Sequence, residues 1–439
     1  MRKSIIATFI ATAFISLNAG ASDLLQIYKE ALVNDAQFGS ARAAKLAGQE
    51  RSVQGRSSLL PNVGLSAGVT KTHSEFDPDV GPTTTGNSTG RSMTLSLTQS
   101  LFNMATWENY EQSKLAVLGA DLQFSAAQQD LMLRVSQAYF DVLGAQNTLK
   151  TLQAQKVAVA EQLASAKRNF EVGTQTITDT HEAQSQYDLI TAQELAGQGD
   201  LDVKRAALRQ IIGKDAGDLA ILKEGVQLSA PVPAQLNDWV ASAEKQNFSV
   251  AASEVSLEVA KREIKKSRAG HLPTVDFSAT TGRSTGSSAA TLPSGVSKPT
   301  TIGVSVKIPI FSGFATDSRV RETIALEDKA RNDLETARRA AAQGARQSYI
   351  GVVSGLAQIK AFEAAEISSQ SALDSTKLGY QVGVRINIDV LNAQQKLSNT
   401  RQSLAKARYD SIMSGLRLKA AAGTLKETDL VEVNALLTQ

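Results

Sequence analysis

The chain is written twice. Leu60-Pro61, Leu101-Phe102, Tyr139, Phe170-Glu171-Val172-Gly173, Asp179 and Gly213 recur in order as Leu272-Pro273, Ile310-Phe311, Tyr349, Tyr380-Gln381-Val382-Gly383, Asp389 and Gly423, about 210 residues later. A duplication of this length means that any plan adopted by the first half must serve the second. The copies are read as residues 22–228 and 236–439, joined by a linker at 229–235 that contains Pro231 and Pro233.

Each copy opens with a helical stretch, Leu24 to Ser57 and Leu236 to Arg268, that stops before a proline, which has no amide hydrogen to continue the ladder. Two alternating segments follow. Val63, Leu65, Ala67 and Val69 interleave with Asn62, Gly64, Ser66 and Gly68, and Met93, Leu95 and Leu97 with Thr94, Ser96 and Thr98. In the second copy Val275, Phe277 and Ala279 alternate with Thr274, Asp276 and Ser278. Ile302, Val304, Val306, Ile308 and Ile310 alternate with Thr301, Gly303, Ser305 and Lys307. Such alternation gives a strand one apolar and one polar face, at a length that spans a bilayer when tilted. The hairpins are expected at 62–102 and 274–311, around polar loops at His73 to Gly90 and Gly282 to Pro299. Long external loops are the usual asymmetry of an outer-membrane barrel.

Four strands cannot close a barrel, and an open sheet in lipid would leave edge amides and carbonyls unpaired at several kcal/mol each. If the strands are membranous, several chains share one barrel. Two, three or four chains would give eight, twelve or sixteen strands. The rest of each copy is a long helical hairpin, expected at 105–213 and 314–423. Ala105 to Glu171 holds no proline, and a continuous helix there would reach about 100 Å, with Gly119 and Gly144 as soft points. Alanine-rich Ala337 to Ala345 permits close helix packing. These features describe a mainly α protein with transmembrane β-strands, a coiled-coil tube projecting from a membrane barrel. The alternative is a periplasmic coiled-coil adaptor or scaffold that needs no membrane strands.

A leader is expected at residues 1–21. Arg2-Lys3 is its charged start, Ile5 to Leu17 its apolar stretch and Ala19-Gly20-Ala21 its cleavage site. The chain has no cysteine, hence no disulfide or thiol chemistry, and a formal charge of +3 gives no nucleic-acid footprint. His73, His181 and His271 have no ligand spacing, and neither a nucleophile constellation nor a phosphate loop is present, so no enzyme activity, metal or cofactor is expected. Phe102, Trp107, Phe311 and Phe314 fall just after strands, where an interfacial aromatic belt is expected. The basic run Lys261 to Arg268 reads as a solvated face.

The run Leu378 to Ala393, reading LGYQVGVRINIDVLNA, with Pro309 to Gly313 and Ala422-Gly423-Thr424-Leu425, resembles the TolC family of outer-membrane export channels over nearly the whole mature chain. The resemblance implies a homotrimer with a twelve-stranded barrel, four strands per chain, continued by an α-helical tunnel across the periplasm. It implies export of proteins by type I secretion, or efflux of small molecules. It further implies outer-membrane lipid around the barrel, a periplasmic adaptor (membrane fusion) protein, and an inner-membrane ABC or proton-driven transporter. By the same resemblance Asp389 and Asn392 lie at an acidic ring lining the periplasmic entrance, and Tyr380 and Arg385 make links with Thr178 and Asp179 that hold it shut. Two positions depart from the pattern. Asn392 replaces a second acid, leaving one carboxylate per chain, and Asn103-Met104 stands where the second copy has Ser312-Gly313.

The same residues have readings from physics alone. Gly173 and Gly383 suit the left-handed helix end of a hairpin turn. Asp179 with Glu182 resembles a capping box, and Asp389 a cap or first-turn acid. Arg385 has a planar fork suited to a carboxylate, and the resemblance supplies Asp179 as that partner.

Overall fold

The computed structural model describes residues 21–223, 225–286 and 295–438; the leader expected at 1–21 lies, up to residue 20, outside them. The first copy runs through helices α1 (Leu24–Asn34) and α2 (Ala36–Ser57), strands β1 (Asn62–Phe76) and β2 (Thr84–Phe102), and helices α3 (Met104–Glu171) and α4 (Ile177–Ile212). The second repeats the plan with α5 (Leu236–Gln246), α6 (Phe248–Arg268), β3 (Thr274–Gly286), β4 (Gly295–Ser297), β5 (Thr300–Lys307), α7 (Ala315–Gln381) and α8 (Asn387–Ala421), and closes with α9 (Glu427–Asn434).

The opening helix of each copy is broken, not continuous as expected. Asp35 and Asn247 stand at the breaks with extended backbone, and each caps the following helix, Asp35 accepting from the Phe38 amide and Asn247 from the Ser249 amide. Short polar side chains compete for backbone amides in this way and turn a helix into a corner. The first hairpin is longer than its apolar alternation. Lys71 to Phe76 pair with Thr84 to Thr89, so the loop shrinks from the expected 73–90 to residues 77–83. In the second hairpin β5 ends at Lys307, short of the expected Ile310, because Pro309 has no amide to offer the ladder.

All neighbouring strands pair antiparallel in the order β1, β2, β3, with β4 and β5 following one another along the far edge of β3, so the sheet is four strands wide. The register puts Leu65 opposite Leu95, Leu97 opposite Ala279, and Ala279 opposite Ile302, which collects the apolar residues on one face. Gly64, Ser66, Thr94, Ser96, Ser278, Thr280 and Gly303 fall on the other. The apolar face is open to its surroundings, with Val69 and Ile302 both 71% exposed. Among the described residues β1 and β5 have no partner strand on their outer sides. Outside a membrane this edge and face would be a large liability.

The helices extend from the opposite end to the loops. α3 and α7 each run about 100 Å and fold back antiparallel as α4 and α8. Gly119 and Gly144 lie within α3 without interrupting it. Val390, Leu397, Leu404, Ser411 and Leu418 of α8 are buried at every seventh residue, as are Ala345, Val352 and Ile359 of α7. That repeat gives the left-handed supercoil of a coiled coil. The entries into the long helices differ between copies. Asn103 caps α3 through the Ala105 and Thr106 amides, whereas α7 starts from a left-handed turn at Gly313 and Phe314 with no side-chain cap. The largest core sits midway along the helices, where Leu24, Ile27 and Tyr28 of α1 meet Leu131, Val135 and Tyr139 of α3, Leu208 and Ile212 of α4, and Leu430 of α9. Tyr139 and Tyr349, equivalent in the two copies, donate their hydroxyls to the backbone carbonyls of Ala220 and Ala234, pinning the segment before the linker and the linker itself.

Candidate functional site: the helical-hairpin tips

Both long hairpins turn at the end furthest from the sheet. Gly173 and Gly383 have φ of +78° and +81°, and a β-carbon at either would meet nothing within 4 Å, so the requirement for glycine is conformational and not steric. The Gly173 amide donates to Phe170 and Thr174 to Asn169; the Gly383 amide donates to Tyr380 and Val384 to Gly379. These bonds satisfy the last helical carbonyls of α3 and α7.

The return helix α4 is capped by Thr176, not by the Asp179–Glu182 pair expected from the sequence. Asp179 Oδ2 accepts from the Thr176 amide at 3.0 Å and the Thr176 hydroxyl at 2.8 Å, while Thr176 Oγ1 accepts from the Asp179 amide. The reciprocal pair forms because Asp179 sits three residues after the cap. Thr178 lies exposed in the same turn. On the second hairpin Asp389 is in the first turn of α8, with Ile386 at the cap and no side-chain cap bond. Asn392 lies one turn further along α8, exposed.

The expected pairing of Arg385 with Asp179 is not formed within the chain. Asp179 is held by Thr176, and Arg385 instead reaches Asp389 one turn along, with Nη1 3.7 Å from Oδ2. At that separation and exposure the pair contributes little to stability. The Arg385 stem crosses closely over Gly379, where a β-carbon would lie 2.8 Å from its Cγ. Tyr380 does join the two copies. Its hydroxyl accepts from Gln175 Nε2 at 2.9 Å and lies 3.5 Å from Asn169 Nδ2, which ties α7 to the turn between α3 and α4. Gln175 and Asn169 were not singled out from the sequence. The duplication carried the signal, since they occupy the positions that Arg385 and Gly379 hold in the second copy. A second cross-copy contact lies further from the tip, where Gln155 of α3 donates to Gln395 of α8 and Gln395 donates to Asn399. Asn387, at the first position of α8, is 1% exposed, and among the described residues neither of its side-chain polar atoms has a partner.

The tips therefore hold a half-exposed carboxylate, a guanidinium beside it, and a tyrosine fastening one hairpin to the other. This can attract cations and hold two helical pairs together.

The family model for outer membrane efflux proteins matches residues 27–214 and 239–424, one match in each copy. The chain is 34% identical over 437 residues to the outer membrane protein TolC of Vibrio cholerae, covering 99% of this chain and 98% of that protein. It is 31% identical over 447 residues to the proteases secretion protein PrtF of Dickeya chrysanthemi, covering 99% and 95%. In structure it resembles the CmeC outer membrane channel of Campylobacter jejuni, with a TM-score of 0.79 at 18% identity over 94% of this chain and 89% of that one.

Proposed function

Because the chain belongs to the outer membrane efflux protein family, we propose that its hairpin tips form the gate of an export duct, shut by Tyr380 and opened by a partner in the inner membrane. The chain is an outer-membrane channel that exports proteins or small molecules, with a β-barrel in the membrane and a helical tunnel extending into the periplasm. The alternative, a periplasmic coiled-coil adaptor or scaffold, is not favoured, given the whole-length match to an outer membrane protein.

Three chains close the barrel in this reading, each giving four strands to a ring of twelve. Residues 22–228 and 236–439 are its two structural copies, and the duct itself performs no catalysis. A periplasmic adaptor and an inner-membrane transporter engage the tips and supply the energy. Three-fold symmetry brings three copies of Asp389 around one axis, where like charges attract cations. Asn392 adds no charge to that ring, and Arg385 beside Asp389 partly offsets it.

The observation that carries the gate is the Tyr380 hydroxyl accepting from Gln175 across the two copies. One such bond is worth about 1 kcal/mol net. Three acting on one gate are worth about 3 kcal/mol, more than a hundredfold in the ratio of shut to open states. Tyr380→Phe combined with Arg385→Ser is expected to raise single-channel conductance severalfold in planar bilayers, with assembly unchanged. Conductance equal to that of the unaltered channel would contradict the gate. In the same recordings Asp389→Asn is expected to weaken block by multivalent cations.

A further inference from the structure

Among the described residues, the apolar face of the sheet carries cations only at its loop end. By the strand register, Lys71 of β1 lies opposite Thr89, Arg91 of β2 lies between Val69 and Thr285, and Arg283 of β3 lies opposite Met93. The three fall on the face of Leu65, Leu95 and Ile302 and step diagonally across adjacent strands, with about 7–8 Å between neighbours. All three are exposed, and among the described residues none has an ion-pair partner. Glu75, the next carboxylate on this face, is four residues beyond Lys71 along β1, about 13 Å away.

Two contrasts give the cluster its meaning. At the same height the polar face holds Thr70, Ser92 and Ser284 and no cation, so the charge is not placed to line the lumen. At the helical end the apolar face holds Phe102, Val275 and Val306 and again no cation; Lys307 there belongs to the polar face. A cation on a lipid-facing strand is destabilising, increasingly so towards the bilayer centre, unless it meets an anion or snorkels to the interface. With the helices in the periplasm, the loop end is the external one, and the anions within reach there belong to outer-leaflet headgroups.

We infer that Lys71, Arg91 and Arg283 form a binding site, on the lipid-facing side of the barrel's outer rim, for the phosphate groups of an outer-leaflet lipid. Guanidinium groups pair with phosphate in two-point geometry, and the ammonium adds a point charge. The apolar rows below, with Val63, Leu65 and Leu95, receive the acyl chains of the same lipid. The site goes beyond the gate reading and is independent of it.

The test uses the full-length oligomer in detergent and native mass spectrometry, with bis-phosphorylated lipid A and its dephosphorylated form as probes. A basic group near an anionic lipid surface contributes about fivefold in affinity, so the variant K71Q/R91Q/R283Q should bind the phosphorylated lipid about a hundredfold more weakly. Lys307→Gln should bind it as the unaltered protein does, and all three proteins should bind the dephosphorylated lipid alike. Equal retention of the phosphorylated lipid by the triple variant and the unaltered protein would overturn the site. So would failure of the unaltered protein to distinguish the two lipids, a measurement needing no variant. If the triple variant does not assemble, Arg91→Gln alone should lose about fivefold, and no loss would count equally against the site.

Discussion

Replacing Asp35 with alanine is expected to destabilise the helical part of the molecule by about 3 kcal/mol, seen as a lower melting temperature of the helical circular-dichroism signal in detergent. The carboxylate is 6% exposed at the corner between α1 and α2. One oxygen accepts from the Phe38 amide at 2.6 Å, and the two oxygens take Arg134 Nη1 and Nη2 at 3.0 and 3.1 Å. Removing it uncaps α2 and leaves the guanidinium with Asp130 alone, bound through Nε at 2.7 Å. The Arg134 hydrogen bonds, aided by the Phe38 amide and opposed by burial, hold the Asp35 carboxyl below the usual carboxylate range. A depressed pKa stabilises the fold fully above the unfolded value, near 4 for aspartate. That stability is lost as pH falls through the folded value. The difference between the unaltered protein and Asp35→Asn should therefore be constant above about pH 5 and shrink below about pH 4. A difference that does not change with pH would show that the charge of Asp35 contributes nothing.

Gly423→Ala is expected to cost more than about 4 kcal/mol and to leave little assembled channel, while Gly213→Ala, its equivalent in the first copy, costs about 1–2 kcal/mol. Both glycines end a return helix in the left-handed region, with φ of +73° and +75°. Any L-residue there pays the conformational strain. The two differ in what lies opposite. A β-carbon on Gly213 would meet the Asn34 side chain at 3.3 Å, which can yield. On Gly423 it would lie 2.1 Å from the backbone oxygen of Gln246 and 2.9 Å from the amide nitrogen of Asn247. That backbone is fixed, because Asn247 Nδ2 donates to Ala421 and the Ser242 hydroxyl to Ala422, seating the end of α8 in the corner between α5 and α6. The two substitutions, compared by yield of heat-modifiable oligomer and by melting temperature, should separate clearly. Equal losses would mean that strain alone sets the cost.

Much of the architecture was legible because it is repeated and because side-chain period reports a face. Val63 to Val69 and Ile302 to Val306 show by alternation which side of each strand meets lipid. Alternation does not report where a strand ends. Lys71 to Phe76 have no apolar rhythm, yet they extend β1 because a backbone ladder pairs amides and carbonyls whatever the side chain. The corners at Asp35 and Asn247 were hidden for a related reason. Helical spacing resumes on both sides of each break, and only the capping geometry marks it. At the tips the glycine turns follow from backbone conformation and could be read from residue type. The partners of Tyr380 could not, since Gln175 and Asn169 meet it only when two distant hairpins pack. Arg385 shows the limit of pairing by charge alone. Asp179 is the attractive mate on paper, but within the chain it is occupied by Thr176 and Arg385 turns to Asp389.

In the proposed trimer β1 of one subunit pairs with β5 of the next to close a single barrel. The chain has no cysteine, so introduced pairs report without interference. Ser66→Cys on β1 would be combined in turn with Gly303→Cys, Ser305→Cys or Lys307→Cys on the same face of β5. Within a chain β1 and β5 lie three strand spacings apart, about 14 Å, too far for a disulfide. A cross-link must therefore join different subunits. At least one pair, oxidised in outer membranes, is expected to give a ladder on denaturing gels that stops at a covalent trimer. Only monomer from all three pairs, under conditions where the thiols are shown to oxidise, would contradict it.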